Sequence, residues 1–344
     1  MEQYAGIDVS LELSSVCVVD ATGKIRRELK VPSEPDALVR FVQPLEPAPV
    51  RIGLEAGPLS QWLYADLLDG GFDVVLLETR HVKAALSAMP VKTDRKDARG
   101  IAQMVHLGWY RPVHCKTLAA QEIRALLTAR KQLQAKLLDL ELCLCGILRG
   151  FGLKLGVVTR YGFEARVREL IDGHPMLEQV TGPMLQARDA PRAQFNVLHK
   201  QMLAAARQDT VCHWLMTVLG VGPQVALTFK SAVDDPAWFT RSKTVGAHFG
   251  LTPKKPQSGE TDVTGSITRA SDTMVRTALY EATNVMLSHA TRFSVLKRWA
   301  VDVARRRGLQ RAKVPLARKL ATFLHRIWVD GTTFRWSKEA TMAA

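Results

Sequence analysis

The sequence has no run approaching the ~20 consecutive apolar residues of a membrane-spanning helix, so no membrane span is expected. It has only five cysteines (Cys17, Cys115, Cys143, Cys145 and Cys212), and none of them are paired in a C-x-x-C spacing. Cys143 and Cys145 lie one residue apart in a helical pattern and so face different ways, which argues against structural zinc or a disulfide framework. The five read as thiols in a reducing cytoplasm. The opening MEQYAGIDVS lacks a basic stretch followed by an apolar core, so no secretory signal is expected.

Acidic residues are scarce towards the C-terminus. Over 344 residues, 47 Lys and Arg face 33 Asp and Glu, a net charge of +14. From Arg241 onward the count is 19 against 7, so +12 of that surplus sits in the last third. A polyanion is the natural partner, because each cation placed on a phosphate releases condensed counterions. The alternative is a basic surface that serves solubility. With 47% hydrophobic and 23% charged residues, the chain suits two or three globular domains.

Residues 1–112 read as α/β. Apolar runs at 3–9, 14–20 and 24–31, joined by short turns, predict an antiparallel meander. A helix at 34–42, a strand at 49–55, a helix at 60–68 and a strand at 72–77 follow. The order β-β-β-α-β-α-β-α is that of ribonuclease-H-like domains, an order that other α/β folds share in large part. Residues 113–209 differ in kind. Leu126, Leu133, Leu137, Leu140, Leu144 and Ile147 recur at helical spacing, predicting a long amphipathic helix over 117–148, coiled-coil in character. A second helix is expected over 191–208, with Pro191 in its first turn, and the two would form an antiparallel arm. The alternative is a long helix within a compact domain. Residues 210–344 read as mainly helical. Gly220-Val221-Gly222 separates two helical stretches in a helix-hairpin-helix-like element, whose backbone N–H groups suit a phosphate. The tail, residues 338–344, is expected to fray.

Four carboxylates stand out. Asp8 ends the first apolar strand in Gly6-Ile7-Asp8, and Glu55 ends another in Leu54-Glu55-Ala56-Gly57, where flanking glycines allow close approach of a ligand or backbone. Asp94 and Asp97, in Lys92-Thr93-Asp94-Arg95-Lys96-Asp97-Ala98, are three apart and share a helix face. Capping would account for that pair alone, with Asp94 as N-cap and Asp97 complementing the dipole. Taken together, four acids brought into one site cannot all ionise without compensation. Two Mg²⁺ ions about 3.5–4 Å apart, with Mn²⁺ as a substitute, would supply it and activate oxygens in phosphodiester chemistry.

These three segments resemble the DEDD-type insertion-sequence transposases of the IS110 family, T-D-x-x-D-A being the most specific element. The resemblance spans roughly residues 4–330 and is weakest over 150–210. It implies a RuvC-like N-terminal domain, with Asp8, Glu55, Asp94 and Asp97 as catalytic metal ligands. It further implies a C-terminal transposase domain with a serine nucleophile. Here Gly220-Val221-Gly222 matches the family's hairpin, and Phe249-Gly250-Leu251-Thr252-Pro253-Lys254-Lys255-Pro256-Gln257-Ser258-Gly259 the stretch with its basic G-L-x-P segment. The Ser-Gly step after that segment aligns with Ser258. By residue chemistry alone that step is a turn, and no His stands beside it in sequence. The resemblance implies that Ser258 attacks DNA, forming a phosphoserine link, with the carboxylate domain of another protomer completing the site.

Lys254, Lys255, Thr268, Arg269 and Arg276 are expected to position DNA. Ser271 replaces the usual glycine three residues after Thr268, a departure that bears on the loop's conformation. Arg305, Arg306, Arg307, Arg311 and Lys313 form a further basic cluster, from which Arg318, Lys319 and Arg326 are expected to line a nucleic-acid groove. Trp299, Phe323 and Trp328 are expected to pack the core. The resemblance also implies donor and target DNA as partners, a structured bridge RNA as guide, and a homo-oligomer, at least a dimer and a tetramer in synapsis. The location would be the bacterial cytoplasm, at the nucleoid when bound to DNA. Two other readings remain: a RuvC-like resolvase without serine chemistry, and a non-catalytic nucleic-acid-binding domesticated transposase.

Overall fold

A computed structural model describes residues 2–89, 91–255, 257–289 and 294–335. Pro256 of the basic segment and the tail expected to fray lie outside the described residues. The chain divides into two compact units, Met1–Lys116 and Thr117–Ala344.

The first unit opens with strands β1 (Gln3–Asp8), β2 (Leu13–Asp20) and β3 (Ile25–Pro32), then helix α1 (Pro35–Val42). Strand β4 (Pro49–Glu55), helix α2 (Ser60–Asp69), strand β5 (Val74–Leu77) and helices α3 (Thr79–Leu86) and α4 (Asp94–His106) follow, and β6 (Pro112–Val113) closes it. The sheet order is β3-β2-β1-β4-β5-β6. The β1–β2 and β2–β3 pairs are antiparallel, while β1–β4 and β4–β5 are parallel. This is the mixed sheet expected from the order of elements. Two elements were not anticipated: the eight-residue α3 and the two-residue β6, which pairs antiparallel with β5. The two-residue β6 is too short to show a period, and α3 follows Glu78 without a side-chain cap to mark its start in sequence.

One face of this sheet carries α1 and α2, with Ile7, Leu54, Leu38 and Leu63 fully buried between them. The opposite face carries α4, whose Ala98, Ile101, Ala102 and Val105 are buried.

The second unit begins with α5 (Leu118–Gly150), α6 (Phe163–Ile171) and α7 (Pro175–Gln208). Thr117 caps α5 by accepting from the Ala120 amide. Helix α7 starts sixteen residues earlier than the helix expected from Pro191, and it runs through Pro183 and Pro191. Each proline forfeits a donor and costs a helix interior about 3 kcal/mol. A buried stripe through Leu177, Thr181, Leu185, Arg188, Phe195, Met202 and Ala206 continues on both sides and offsets that cost. Helices α5 and α7 pack along one another.

Helices α8 (Thr210–Met216), α9 (Pro223–Val233) and α10 (Ser242–His248) come next, then the short strands β7 (Gln257–Ser258) and β8 (Thr261–Asp262). Helices α11 (Thr273–Ser288), α12 (Val295–Arg307) and α13 (Leu309–Asp330) complete the unit. Helix α9 is buried along almost its whole length and forms the centre of the core. Leu127 of α5 and Met202 and Ala206 of α7 belong to that same core, so the roots of the two long helices are part of it. Gly220, in the turn before α9, has φ +83°, and a Cβ there would run into the carbonyl of Ala282 on α11. Close helix packing therefore accounts for glycine at this position.

Candidate active site

In the parallel register of β1 and β4, Gly6 is the partner of Gly53, and Ile7 of Leu54. Side chains alternate along a strand, so Asp8 shares the face of Gly6, and Glu55 that of Gly53. Helix α4 lies on this face. A Cβ at Gly6 would stand 2.5 Å from the Ala98 carbonyl oxygen and 2.8 Å from the Ala102 Cα. At Gly53 it would meet the side chains of Val105, Leu77 and Ile101. The glycines thus let α4 approach the sheet until its first turn reaches the strand ends bearing Asp8 and Glu55. The closeness expected around Glu55 is met at Gly53 by α4; Gly57 has only the Glu55 carbonyl oxygen, at 3.9 Å.

Each residue of the Thr93–Ala98 motif has a physical task. Thr93, not Asp94, is the N-cap: its hydroxyl accepts from the Lys96 amide at 3.3 Å. The capping account of Asp94 is therefore corrected, and its carboxylate is left at the helix start facing outward. Arg95 Nε donates to Glu28 of β3 at 2.7 Å, and Arg99 pairs with the same carboxylate. These bonds hold α4 against the meander and keep the Glu28 carboxyl down at about 2. Ala98 supplies the small side chain and close backbone opposite Gly6.

Asp97 is 8% exposed as a residue, while the Asp94 side chain is 54% exposed, so the two acids do not share one environment. Burial first, then the charges of Asp97 and Asp94, raise the Asp8 carboxyl to about 6, while Lys92 opposes the rise. Glu55 is raised by burial and by the charges of Asp8 and Asp97. Asp94 acts on Asp8 but is not among the groups that shift Glu55. The inner group is therefore Asp8, Glu55 and Asp97, with Asp94 at its edge, 3.7 Å from Lys30 Nζ. Lys92 Nζ lies 3.6 Å from Asp97, a cation in the site that the motif reading did not single out. A cavity of about 360 Å³ opens beside Glu55, Asp97 and Lys92, with Thr79 and Lys83 of α3 in its wall.

Among the described residues no three carboxylate, imidazole or thiol groups already stand close enough to hold a metal ion. The donor chemistry still suits a hard divalent cation: all-carboxylate oxygen ligands whose mutual repulsion such a charge would relieve. Binding requires the side chains to draw together.

Ser258 belongs to the second unit. Residues 250–255 and 265–269 run antiparallel, joined by Lys254 N to Ser266 O at 2.8 Å and Thr268 N to Thr252 O at 2.8 Å. At the tip, Ser258 pairs in register with Thr261 around Gly259, whose φ is +54°. Ser258 is exposed. Lys254 is exposed on the same ribbon, and Lys255 pairs with Asp262 at 3.0 Å.

The base of the ribbon is tightly built. Ser271 has φ +58° and Arg269 φ +54°, so Ser271 adopts the left-handed conformation that favours glycine. The Arg276 guanidinium donates to the carbonyls of Ala270, Ser271 and Phe249. Arg276, expected to position DNA, is engaged with the loop backbone and holds its shape.

Beside the ribbon lies a cavity of about 370 Å³ whose wall includes Leu251, Pro253, Arg318, Lys319 and Lys243. Arg318 and Lys319, expected to line a nucleic-acid groove, line this cavity together with Lys243, which the sequence did not single out. Lys319 Nζ sits 4.1 Å from the centre of the Trp299 ring. Trp299 and Trp328 pack against the core as expected. Phe323 does not: it is 37% exposed and faces Phe334 edge-on.

Comparisons with known proteins place the chain among transposases. A family model of DEDD transposases, described as "Transposase", matches residues 5–152. A second, "Transposase IS116/IS110/IS902 family", matches residues 212–298. The transposase for insertion sequence element IS1111A of Coxiella burnetii is 26% identical over 342 residues, covering 96% of this chain and 90% of the relative. A Pseudomonas aeruginosa protein described as "Probable family 20 transposase" is 25% identical, covering 96% and 98%. The RuvC of T. thermophilus in complex with a Holliday junction substrate is similar at 15% identity. It covers 33% of this chain and all of that one with a TM-score of 0.27, a likeness too slight to carry function. The two family models, which between them span more than half of the chain, and the full-length relatives define a DNA transposase. The chain belongs to the IS110 family of DEDD insertion-sequence transposases. No described helix is long and apolar enough to cross a membrane.

Proposed function

We propose that the chain cuts and rejoins DNA strands through a Mg²⁺-dependent carboxylate centre and a serine nucleophile. The observation that carries this reading is the proximity of Asp8 and Glu55 to Asp97 in the first turn of α4, where burial and the neighbouring carboxylates raise both Asp8 and Glu55. Asp94 completes the ligand set from the edge. Bound Mg²⁺, two ions with Mn²⁺ as a substitute, supplies charge compensation and polarises phosphodiester oxygens.

Ser258, exposed at the ribbon tip, attacks the scissile phosphorus. The Oγ–P bond forms as the P–O bond to the leaving strand breaks, and the serine proton ends on the departing oxygen. The link conserves the phosphodiester energy, so a strand hydroxyl from the second duplex reverses the step and joins the new partner. Lys254, Lys255, Arg269, Arg318 and Lys319 hold backbone phosphates, aided by the amides around Gly220 and Gly222. Thr268 orients the same segment, and Arg276 keeps it in shape. A structured bridge RNA guides the choice of donor and target by base pairing, with the protein reading shape and backbone. Exchange between two duplexes calls for a dimer at least, and a tetramer in synapsis.

Strand cleavage of labelled donor and target DNA, with RNA transcribed from the element's flanks, tests the carboxylate centre. Wild type should cleave in Mg²⁺ and not in chelator, and Asp8→Asn and Asp97→Asn should each lose at least about a thousandfold. Asp94→Asn should retain more activity than either. Undiminished cleavage by Asp97→Asn would remove the basis of this reading.

A further inference from the structure

Among residues that belong to neither site, α5 and α7 hold a group of cations that includes two arginines with no described carboxylate partner. Arg130 on α5 is only 6% exposed. Its Nε donates to Nδ1 of His199 on α7 at 3.2 Å, and its guanidinium lies 4.8 Å from the centre of the Phe195 ring. Arg160, from the loop before α6, approaches that ring at 5.8 Å. His199 stacks on Phe195, with centroids 5.7 Å apart and planes 7° from parallel. Neither Arg130 nor Arg160 forms an ion pair with any described carboxylate. The cluster's neighbour Arg188 is fully buried. It reaches Glu141 at 2.7 Å and the Arg160 carbonyl at 3.3 Å, and its Nη1 has no partner.

A buried charge is costly unless paired. Here two guanidiniums face one ring. Burial and then Arg160 push the Arg130 guanidinium down; burial and then the two arginines push His199 down, towards its neutral form. A neutral His199 that accepts at Nδ1 carries its proton on Nε2, making it a further donor. The Nη atoms of Arg130 make no described hydrogen bond, so their donors are uncommitted. The arrangement supplies donors and positive charge that no described carboxylate balances.

We propose that Arg130, Arg160 and His199 form a phosphate-binding site on the paired helices α5 and α7, and that its ligand is a backbone phosphate of bound nucleic acid. A tetrahedral dianion or phosphodiester accepts from planar guanidiniums in the way this cluster offers. The nucleic-acid source rests on the proposed function, and the phosphate chemistry stands without it. The site would grip the substrate or guide at a point remote in sequence from both catalytic groups.

The test has two arms, both with the full chain. In the first, the thermal midpoint is measured in inorganic phosphate and in chloride at equal ionic strength. Wild type should rise in phosphate, and exposed-residue variant Arg160→Ala should lose that rise while keeping its midpoint in chloride. Arg130→Met should also lose the response without a lower midpoint in chloride, since it removes an unpaired buried charge. A phosphate response retained in both variants overturns the site. In the second arm, affinity for duplex DNA and for RNA from the element's flanks is followed against salt. Arg160→Ala should lower the slope of log K against log salt by about 0.7–0.9 for one of the two ligands, as expected for one lost phosphate contact. An unchanged slope with a lost phosphate response would mean a free-anion site and overturn the backbone assignment. Wild type binding neither nucleic acid would defeat the proposed function, with the first arm still deciding whether the site exists.

Discussion

Gly6 and Gly53 are partners in the parallel β1–β4 register, and both lack a side chain where α4 crosses the sheet. Asp8 and Glu55 follow them by two residues on the same face. The spacing of the carboxylate site is therefore set by how closely a helix can approach two glycines. Gly6→Ala should be the more damaging substitution, because its Cβ meets α4 backbone, whereas at Gly53 it meets side chains that can shift. We expect urea unfolding to show a loss of about 3 kcal/mol for Gly6→Ala and about 1 kcal/mol for Gly53→Ala. Equal, negligible losses would mean α4 is not seated as described.

The acid cluster should make the metal-free protein sensitive to pH. The folded Asp8 carboxyl stands at about 6, above its ordinary value of 3.8, so its ionisation opposes folding. Stability is retained below the ordinary value and lost as pH rises through about 6. In chelator, Asp8→Asn should therefore be more stable than wild type at pH 7.5, and the two should converge near pH 4. Added Mg²⁺ should raise the wild-type midpoint at pH 7.5 and raise that of Asp8→Asn less. Parallel pH profiles for the two chains would contradict the electrostatic account.

Glu28 shows the opposite sign. Arg99 and Arg95 hold its folded carboxyl at about 2, below the ordinary 4.5. Its contribution is complete above 4.5 and fades as pH falls towards 2. Glu28→Gln should be less stable than wild type at pH 7, with the gap narrowing by pH 3. Because these bonds seat α4, the same variant should also lose DNA cleavage in part, even where it remains folded.

Ser271 sits at φ +58° in the loop held by Arg276. Glycine takes up this conformation without strain, so Ser271→Gly should stabilise the chain by about 1 kcal/mol in urea unfolding. A loss of stability would mean that the serine side chain has a role beyond tolerating the turn.

Much of this architecture is legible in the sequence because burial imposes a period. Strand β4 falls at residues 49–55 as its apolar run indicates, and the meander follows from three such runs divided by polar turns. What escaped has local causes. Helix α7 extends back through two prolines because a buried stripe, which only the partner helix reveals, outweighs them. The four acids were visible as a motif, but their division into an inner three and an outlying Asp94 depends on α4 being capped by Thr93. Gly6 looks unremarkable until the Ala102 backbone is seen against it. Arg276 reads as a phosphate ligand by type, and only the folded loop shows three carbonyls already taking its protons.

The most direct test of the central claim is covalent capture. Full-length protein, Mg²⁺, flank-derived RNA and labelled donor and target DNA are mixed, denatured and resolved on a gel. Wild type is run beside Ser258→Ala and Asp97→Asn. The account predicts a protein–DNA adduct with wild type, absent from both variants. Free cleaved ends without an adduct, formed equally by Ser258→Ala, would contradict it and identify a hydrolytic nuclease.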